Sequence, residues 1–140
     1  MSAYFHETHS VVLMSPAIVA HATTAGDCGY VSLKNYNNLT IYMFVDNATT
    51  VTGCAVTLKQ ATAVAGTSEK ALSFTKNWVL ADTSIASSVV TGEALVETAV
   101  TSSTFTTGTT DNKNMLYCME IAASDLDVAG GFDCVRLDGL

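Results

Sequence analysis

Alternation of apolar and polar residues is the feature that most constrains how this chain can fold. Successive side chains of a β-strand point to opposite sides, so a period of two predicts a strand with one buried face. Four segments show this period, with inward-facing sets Leu39/Ile41/Met43/Val45, Cys54/Val56/Leu58, Leu72/Phe74 and Met115/Tyr117/Met119/Ile121. We also expect Trp78 and Leu80 to continue the buried face of Leu72 and Phe74.

Weaker strand patterns and turn signals complete the prediction of an all-β domain. The weaker strand candidates are 11–20, 28–33, 95–106 and 132–137, which brings the total to about eight strands. Turn residues separate the strands at Asp46-Asn47, at Gly66-Thr67-Ser68 and at Gly130-Gly131. Many strands at this spacing predict a β-sandwich or a barrel-like domain.

Helical signals are weak, and the length suits one domain. The best helix candidate is 81–97, where Thr, Val and Gly92 lower the helical propensity. Ser124-Asp125-Leu126-Asp127 is expected to cap one short turn. A chain of 140 residues is one domain's worth, so we expect an N-terminal arm over 1–10 and a single sandwich over 11–140.

Charge and hydrophobicity exclude several classes of protein. The net charge is −7 with only six Lys and Arg residues, too few cations for a nucleic-acid footprint. An apolar content of 49% with 14% charged residues excludes a long disordered chain. The N-terminal sequence has no basic start and no run of about 20 apolar residues, so we expect a soluble cytoplasmic product without a membrane segment.

The histidines do not form a recognisable catalytic or metal-binding pattern. In His6-Glu7-Thr8-His9 the two histidines are one residue too close for the H-E-x-x-H motif. His21 is the remaining histidine, and nothing in the sequence fixes it near the other two. No G-x-S-x-G motif is present. We therefore expect an exposed polar arm, no metal, no cofactor and no catalytic residues, and hence no enzyme.

The cysteines and the C-terminal acidic residues have simple structural interpretations. Cys28, Cys54, Cys118 and Cys134 include no C-x-x-C pair, and we interpret them as small buried hydrophobic residues. Asp125, Asp127 and Asp133 do not match an EF-hand loop, so turn formation and capping are favoured over a loose cation site. Glycine-rich phosphate loops are absent from the sequence.

The aromatic residues allow two interpretations. At strand spacing, aromatic side chains are more often core or sheet-face packing than a stacking platform for a sugar or a base. The five in question are Tyr36, Tyr42, Phe44, Phe74 and Trp78. Weak charge combined with high apolar content also fits a chain whose surface is partly covered by neighbouring molecules.

Several strings of the sequence resemble a family of small virion proteins. They are VSLKNYNNLTIYMFV (31–45), CAVTLKQATAVAG (54–66), KALSFTKNW (70–78) and MEIAASDLDVAGGFDCVRLDGL (119–140). Together they resemble the cement (decoration) proteins encoded beside major capsid genes in tailed bacteriophages. The resemblance covers residues 28–140, and 82–113 is its least diagnostic part.

The resemblance implies a jelly-roll β-sandwich that binds the outer surface of an icosahedral capsid. It also implies self-association as a homodimer that bridges neighbouring major capsid proteins, on the virion after synthesis in the host cytoplasm. The family has no catalytic residues to carry over, and interface residues are not assigned from it. Two alternatives remain open: a receptor- or glycan-binding sandwich displayed on the virion, and a head–tail joining protein.

Overall fold

The computed structural model describes residues 9–12, 14, 28–47, 52–81, 95–109 and 114–139. These residues form nine β-strands and two short 3-10 turns, with no α-helix among them. The strands are β1 Val31–Ser32, β2 Asn38–Asp46, β3 Ala55–Ala61, β4 Lys70–Ala71, β5 Lys76–Ala81, β6 Val96–Ala99, β7 Thr104–Thr106, β8 Asn114–Ala122 and β9 Cys134–Asp138. The prediction of an all-β sandwich is confirmed.

The strands form two antiparallel sheets that pack face to face. In the first sheet β1 pairs with β9 and β9 with β3, while β4 and β7 both lie on the other side of β3. The second sheet has the order β2-β8-β5-β6. β2 and β8 are in register over nine residues each, from Asn38 opposite Ala122 to Asp46 opposite Asn114.

The pairing between strands is nested along the chain. β1 pairs with β9, β2 with β8, β3 with β7 and β5 with β6. A long hairpin that is folded over has this pattern. The first strand pairs with the last, the second with the last but one, and so on inward along the chain. The contacts of β9 with β3 and of β8 with β5 then close the rolled hairpin into two sheets.

The core lies between the sheets and follows the alternation seen in the sequence. On β2, Ile41 and Met43 are buried, whereas Tyr42 and Phe44 point outward and are exposed. The buried set contributed by both sheets includes Val56, Leu58, Met115, Tyr117, Met119, Ile121, Val135 and Leu137. Burial of one face per strand is what a period of two requires.

One predicted face is wrong. Leu72 and Phe74 are buried, but Trp78 and Leu80 lie on the outer face, and Asn77 is the buried residue of β5. The reason is that β4 belongs to the first sheet and β5 to the second. The chain therefore crosses between sheets over residues 72–75, and the alternation does not continue through this crossing.

The remaining local predictions have mixed outcomes. Most of the 81–97 helix candidate lies outside the described residues, and its ends belong to strands β5 and β6. The 11–20 strand candidate also lies largely outside them, and Val11 and Val12 are not in a strand. The predicted turn at 124–127 is confirmed: Ala122 N–H donates to the Asp125 carboxylate over 3.0 Å at the first 3-10 turn.

Candidate docking surface

The outer face of the second sheet carries a contiguous apolar surface. Residues that alternate with the core on β2, β5 and β8 point away from the first sheet. We define the apolar patch as Tyr42, Phe44, Trp78, Leu80, Leu116 and Cys118. The low sequence charge predicts a surface suited to neighbours, and the strand register determines where these side chains come together.

The strand register places the patch residues in two rows across the sheet. Phe44 lies opposite Leu116, which lies opposite Leu80 on its other side. In the adjacent row, Tyr42 lies opposite Cys118 and Cys118 opposite Trp78. Cross-strand neighbours at this spacing touch side chain to side chain, so the six residues form one surface.

Exposure differs across the patch. Tyr42 is 67% exposed and Phe44 60%, whereas Trp78, Leu80 and Leu116 are half-buried. Cys118 is 6% exposed despite pointing outward. Burial, followed by the nearby Glu120 carboxylate, raises the pKa of the Cys118 thiol, and a hydrogen bond with Tyr42 acts in the opposite direction. A neutral thiol under aromatic neighbours behaves as an apolar filler of the patch.

A shallow polar depression borders the patch. It has a volume of about 340 Å³, and one side of Trp78 forms part of its wall. Lys76, Glu120 and Asp125 supply charges of both signs around it. The patch therefore passes from an apolar end, near Phe44, to a polar end near Lys76.

The outer face of the first sheet has the opposite chemistry. Lys59 forms ion pairs with Glu69 at 2.7 Å and with Asp138, and Arg136 contacts Glu69 at 2.8 Å. The Tyr30 hydroxyl donates to Glu69 over 2.7 Å, and the Arg136 guanidinium lies 5.0 Å from the Tyr30 ring centre. We call these five residues the charged network.

The pKa shifts in the charged network follow from its ion pairs. Hydrogen bonds to Asp138 and then to Glu69 raise the pKa of Lys59. The hydrogen bond from Lys59, followed by that from Tyr30, lowers the pKa of Glu69. Each group is held in its charged form and is matched within the same face. This face is thus occupied by its own ion pairs, whereas the apolar patch consists of uncharged side chains.

The aromatic residues considered in the sequence separate into three environments. Phe74 is a core residue, with its ring 6.1 Å from that of Phe105 in an edge-on arrangement. Tyr36 is exposed in the turn before β2. Tyr42, Phe44 and Trp78 share the patch. Tyr42 and Phe44 alternate with the buried residues of β2, as the period of two predicts, whereas Trp78 lies on the outer face and not on the buried face predicted for it.

The other candidate residues do not converge on a site. His6, Glu7 and His21 lie outside the described residues, and His9 is exposed. Across the described part of the chain, no group of three or more His, Cys, Asp or Glu residues is placed to hold a metal ion. Cys28, Cys118 and Cys134 are buried, as predicted, whereas Cys54 is only partly buried. Asp127 caps the second 3-10 turn through Gly130 N–H and pairs with Lys70.

Comparison of the chain with protein-family models, with curated proteins and with solved structures found no match. Within the described residues, no helix has the length and apolarity needed to cross a membrane. The contrast between the apolar patch and the charged network is therefore the main structural guide to function.

Proposed function

We propose that this chain is a non-catalytic cement protein that binds the outer surface of an icosahedral bacteriophage capsid through the apolar patch. The observation that carries the proposal is the asymmetry of the two outer faces. One face presents the exposed aromatic side chains of Tyr42 and Phe44 to solvent, while the other face is occupied by its own ion pairs. A protein that coats a shell needs such a pair of faces, one to dock and one to meet solvent.

The nested strand pairing supports the jelly-roll arrangement that the sequence resemblance implies. A jelly roll is a two-sheet sandwich of eight antiparallel strands, and the four nested pairs of this chain supply eight strands in two sheets. The short β4 is then an addition between β3 and β5. The proposed location is the virion exterior, after synthesis in the host cytoplasm.

The area of the outer face of the second sheet favours binding through many weak contacts. Strand spacings give the outer face of the second sheet roughly 450 Å² of projected area. A stable interface buries about 800 Å² on each partner, so one copy alone binds modestly. Copies that bind only the assembled, expanded shell still stabilise it by mass action, and linked copies gain avidity.

The experiment that tests the proposal is co-sedimentation of the purified chain with expanded capsids that lack it, and with procapsids in parallel. We expect saturable binding at hundreds of copies for each expanded shell and little binding to procapsids. Binding of about a dozen copies would instead indicate a head–tail joining protein. Absence of binding to both shells would refute the proposal.

We also propose that the functional unit is a homodimer formed through the free edge of β2. Ala123 N–H donates to the Asn37 carbonyl over 2.7 Å. Because hydrogen-bonded pairs alternate in an antiparallel ladder, the even-numbered residues of β2 direct their backbone groups away from β8. Among the described residues β2 has no second neighbour, so this edge is open for pairing.

Two copies of β2 are complementary about a two-fold axis at Tyr42. Antiparallel pairing over the full strand places Asn38 opposite the second copy's Asp46 and keeps the two aspartates apart. This pairing allows about ten backbone hydrogen bonds between the two copies. It also places the inward-facing residues of one β2 strand opposite the inward-facing residues of the other. The outer faces of the two second sheets, each with its apolar patch, then form one surface of roughly 900 Å², which reaches the size of a standard interface.

Replacement of Thr40 by proline tests the dimer. The Thr40 N–H faces the free edge, so Thr40→Pro removes a donor from the dimer ladder without removing one from the bonds to β8. We expect the dimer dissociation constant, measured by analytical ultracentrifugation, to rise at least tenfold. Thr40→Ala keeps the donor and should dimerise normally. A Thr40→Pro variant that dimerises as the wild type does would exclude the β2 edge.

The depression beside Trp78 favours a second candidate function, glycan binding. An aromatic wall next to Glu120 and Asp125, in a volume of about 340 Å³, has the combination of stacking surface and acceptors that a sugar ring requires. A glycan array distinguishes the two functions. Specific glycan binding that Trp78→Ala abolishes, together with no binding to shells, would favour the receptor-binding sandwich.

A further inference from the structure

Among the described residues, no strand pairs with β6 on the side away from β5. Val96 lies opposite Val79, and Thr98 lies opposite the buried Asn77, so both face the interior side of the second sheet. Val96 is nevertheless 65% exposed. In the part of the chain that is described, the first sheet therefore does not cover the inner face of β6.

A groove of about 370 Å³ lies at this edge, between β6 and β7. Its apolar wall includes Val79, Phe105 and Met115, and threonines line much of the rest. Asn77 forms part of the wall and is 2% exposed, yet its side-chain oxygen has no hydrogen-bond partner in the described part of the chain. An unpartnered buried amide oxygen costs free energy, and a donor brought into the groove would remove that cost.

The backbone of β6 is placed to accept another strand. Val100 N–H donates to the Thr75 carbonyl over 2.8 Å, so even-numbered residues here bond to β5. By the alternation of an antiparallel ladder, Glu97 and Ala99 direct their N–H and C=O groups to the open edge. A strand added there would send alternate side chains into the groove, as in β-strand addition.

The same chain contains an exposed apolar segment suited to this edge. Residues 9–12 read His-Ser-Val-Val and have no regular secondary structure. Val11 is 84% exposed and Val12 56%. β-Branched side chains favour extended backbone. The segment also contains no acidic residue, so it would not be repelled by the Glu97 carboxylate on β6.

The segment cannot reach the groove of its own chain. Met14 C=O accepts a hydrogen bond from Gly29 N–H over 2.7 Å, and Met14 packs against the core. Gly29 leads into β1, at the opposite edge of the first sheet from β7. Three residues from Met14 to Val11 span at most about 11 Å, whereas the three strand spacings from β1 to β7 measure about 14 Å. The occupant must come from another copy.

We propose that the groove between β6 and β7 of one copy binds residues 9–12 of a second copy as an added β-strand. The contact joins two different surfaces, so it is head-to-tail and can extend from copy to copy. It is separate from the two-fold contact at β2. Because it needs no capsid, its test is independent of the proposed cement function.

Binding of a peptide to the full chain tests the groove directly. A fluorescein-labelled peptide of residues 7–14 should bind saturably in a fluorescence-anisotropy titration. Ala99→Pro removes the N–H that faces the open edge but none of the bonds to β5, so we expect at least tenfold weaker binding. Ala99→Ser keeps that N–H and should bind as the wild type does. Failure of the peptide to bind the wild type, or equal binding to Ala99→Pro, would overturn the proposal.

A second variant and a spectroscopic readout guard against misfolding of the proline variant. Thr98→Lys places a charge at the groove without altering the backbone, and since Thr98 is already exposed we expect the fold to be retained. It should also weaken peptide binding at least tenfold. In the wild type, the NMR resonances of the Asn77 side-chain amide should shift on titration with the peptide. Unchanged Asn77 resonances at saturation would place the peptide elsewhere and refute the proposed site.

Discussion

Phe44→Lys should weaken binding to expanded capsids by about 100-fold or more. Phe44 is 60% exposed at the apolar end of the patch, so lysine is tolerated in the free protein. Docking against a shell would bury the ammonium without a partner, and an unpaired buried charge costs several kcal/mol. About 2.7 kcal/mol already corresponds to 100-fold in affinity. Titration of shells in the co-sedimentation assay measures the change.

The matched control for this prediction is Val64→Lys. Val64 is 62% exposed in the loop that joins β3 to β4, away from the second sheet. Val64→Lys changes the net charge of the chain by the same amount as Phe44→Lys. Any general electrostatic effect on shell binding therefore appears in both variants. Urea midpoints of both variants should match the wild type. If Phe44→Lys and Val64→Lys bind shells equally well, the apolar patch is not the docking surface.

The sequence predicts those parts of the fold that depend on a local period. β2 and β8 are long and regular, and the inward-facing positions, among them Met43 and Met119, follow directly from alternation. Where the chain changes sheets, as between Phe74 and Trp78, a local pattern gives no sign of the crossing. Alternation also leaves the order of strands undetermined, because pairing between β1 and β9 joins opposite ends of the chain.

The candidate site was harder to predict than the fold for a related reason. Tyr42 and Trp78 are 36 positions apart in the sequence and become neighbours only because β8 lies between their strands. Cys118 provides that link, and nothing in its local sequence marks it as part of a surface. The low overall charge was the available signal, since it indicated a surface with apolar regions but not where they lie.

The ion pairs of the described residues are distributed unevenly between the two sheets. Three of its six basic residues, Lys59, Lys70 and Arg136, are paired with acids on the first sheet or beside it. Exposed ion pairs add little stability, so their main effect is to keep this side hydrated. On the second sheet, Lys76 pairs with Glu97 near the polar end of the patch, and the two rows through Phe44 and Tyr42 remain apolar, which is the distribution that one-sided docking requires.

Leu58→Ala should lower the free energy of unfolding by roughly 3–5 kcal/mol, because it removes a fully buried leucine side chain. Leu58 is fully buried on β3, in the strand of the first sheet that pairs with β9, β4 and β7. Neighbours held by three strands cannot collapse easily into the cavity, so the expected loss lies in the upper part of the general range of about 2–5 kcal/mol for buried leucine. A domain of this size is stable by about 5–15 kcal/mol, and urea unfolding of the full chain measures the change.

Val64→Ala, at an exposed position, should stay within about 0.5 kcal/mol of the wild type. A loss below about 1 kcal/mol for Leu58→Ala would mean that the two sheets do not enclose a tight core at β3.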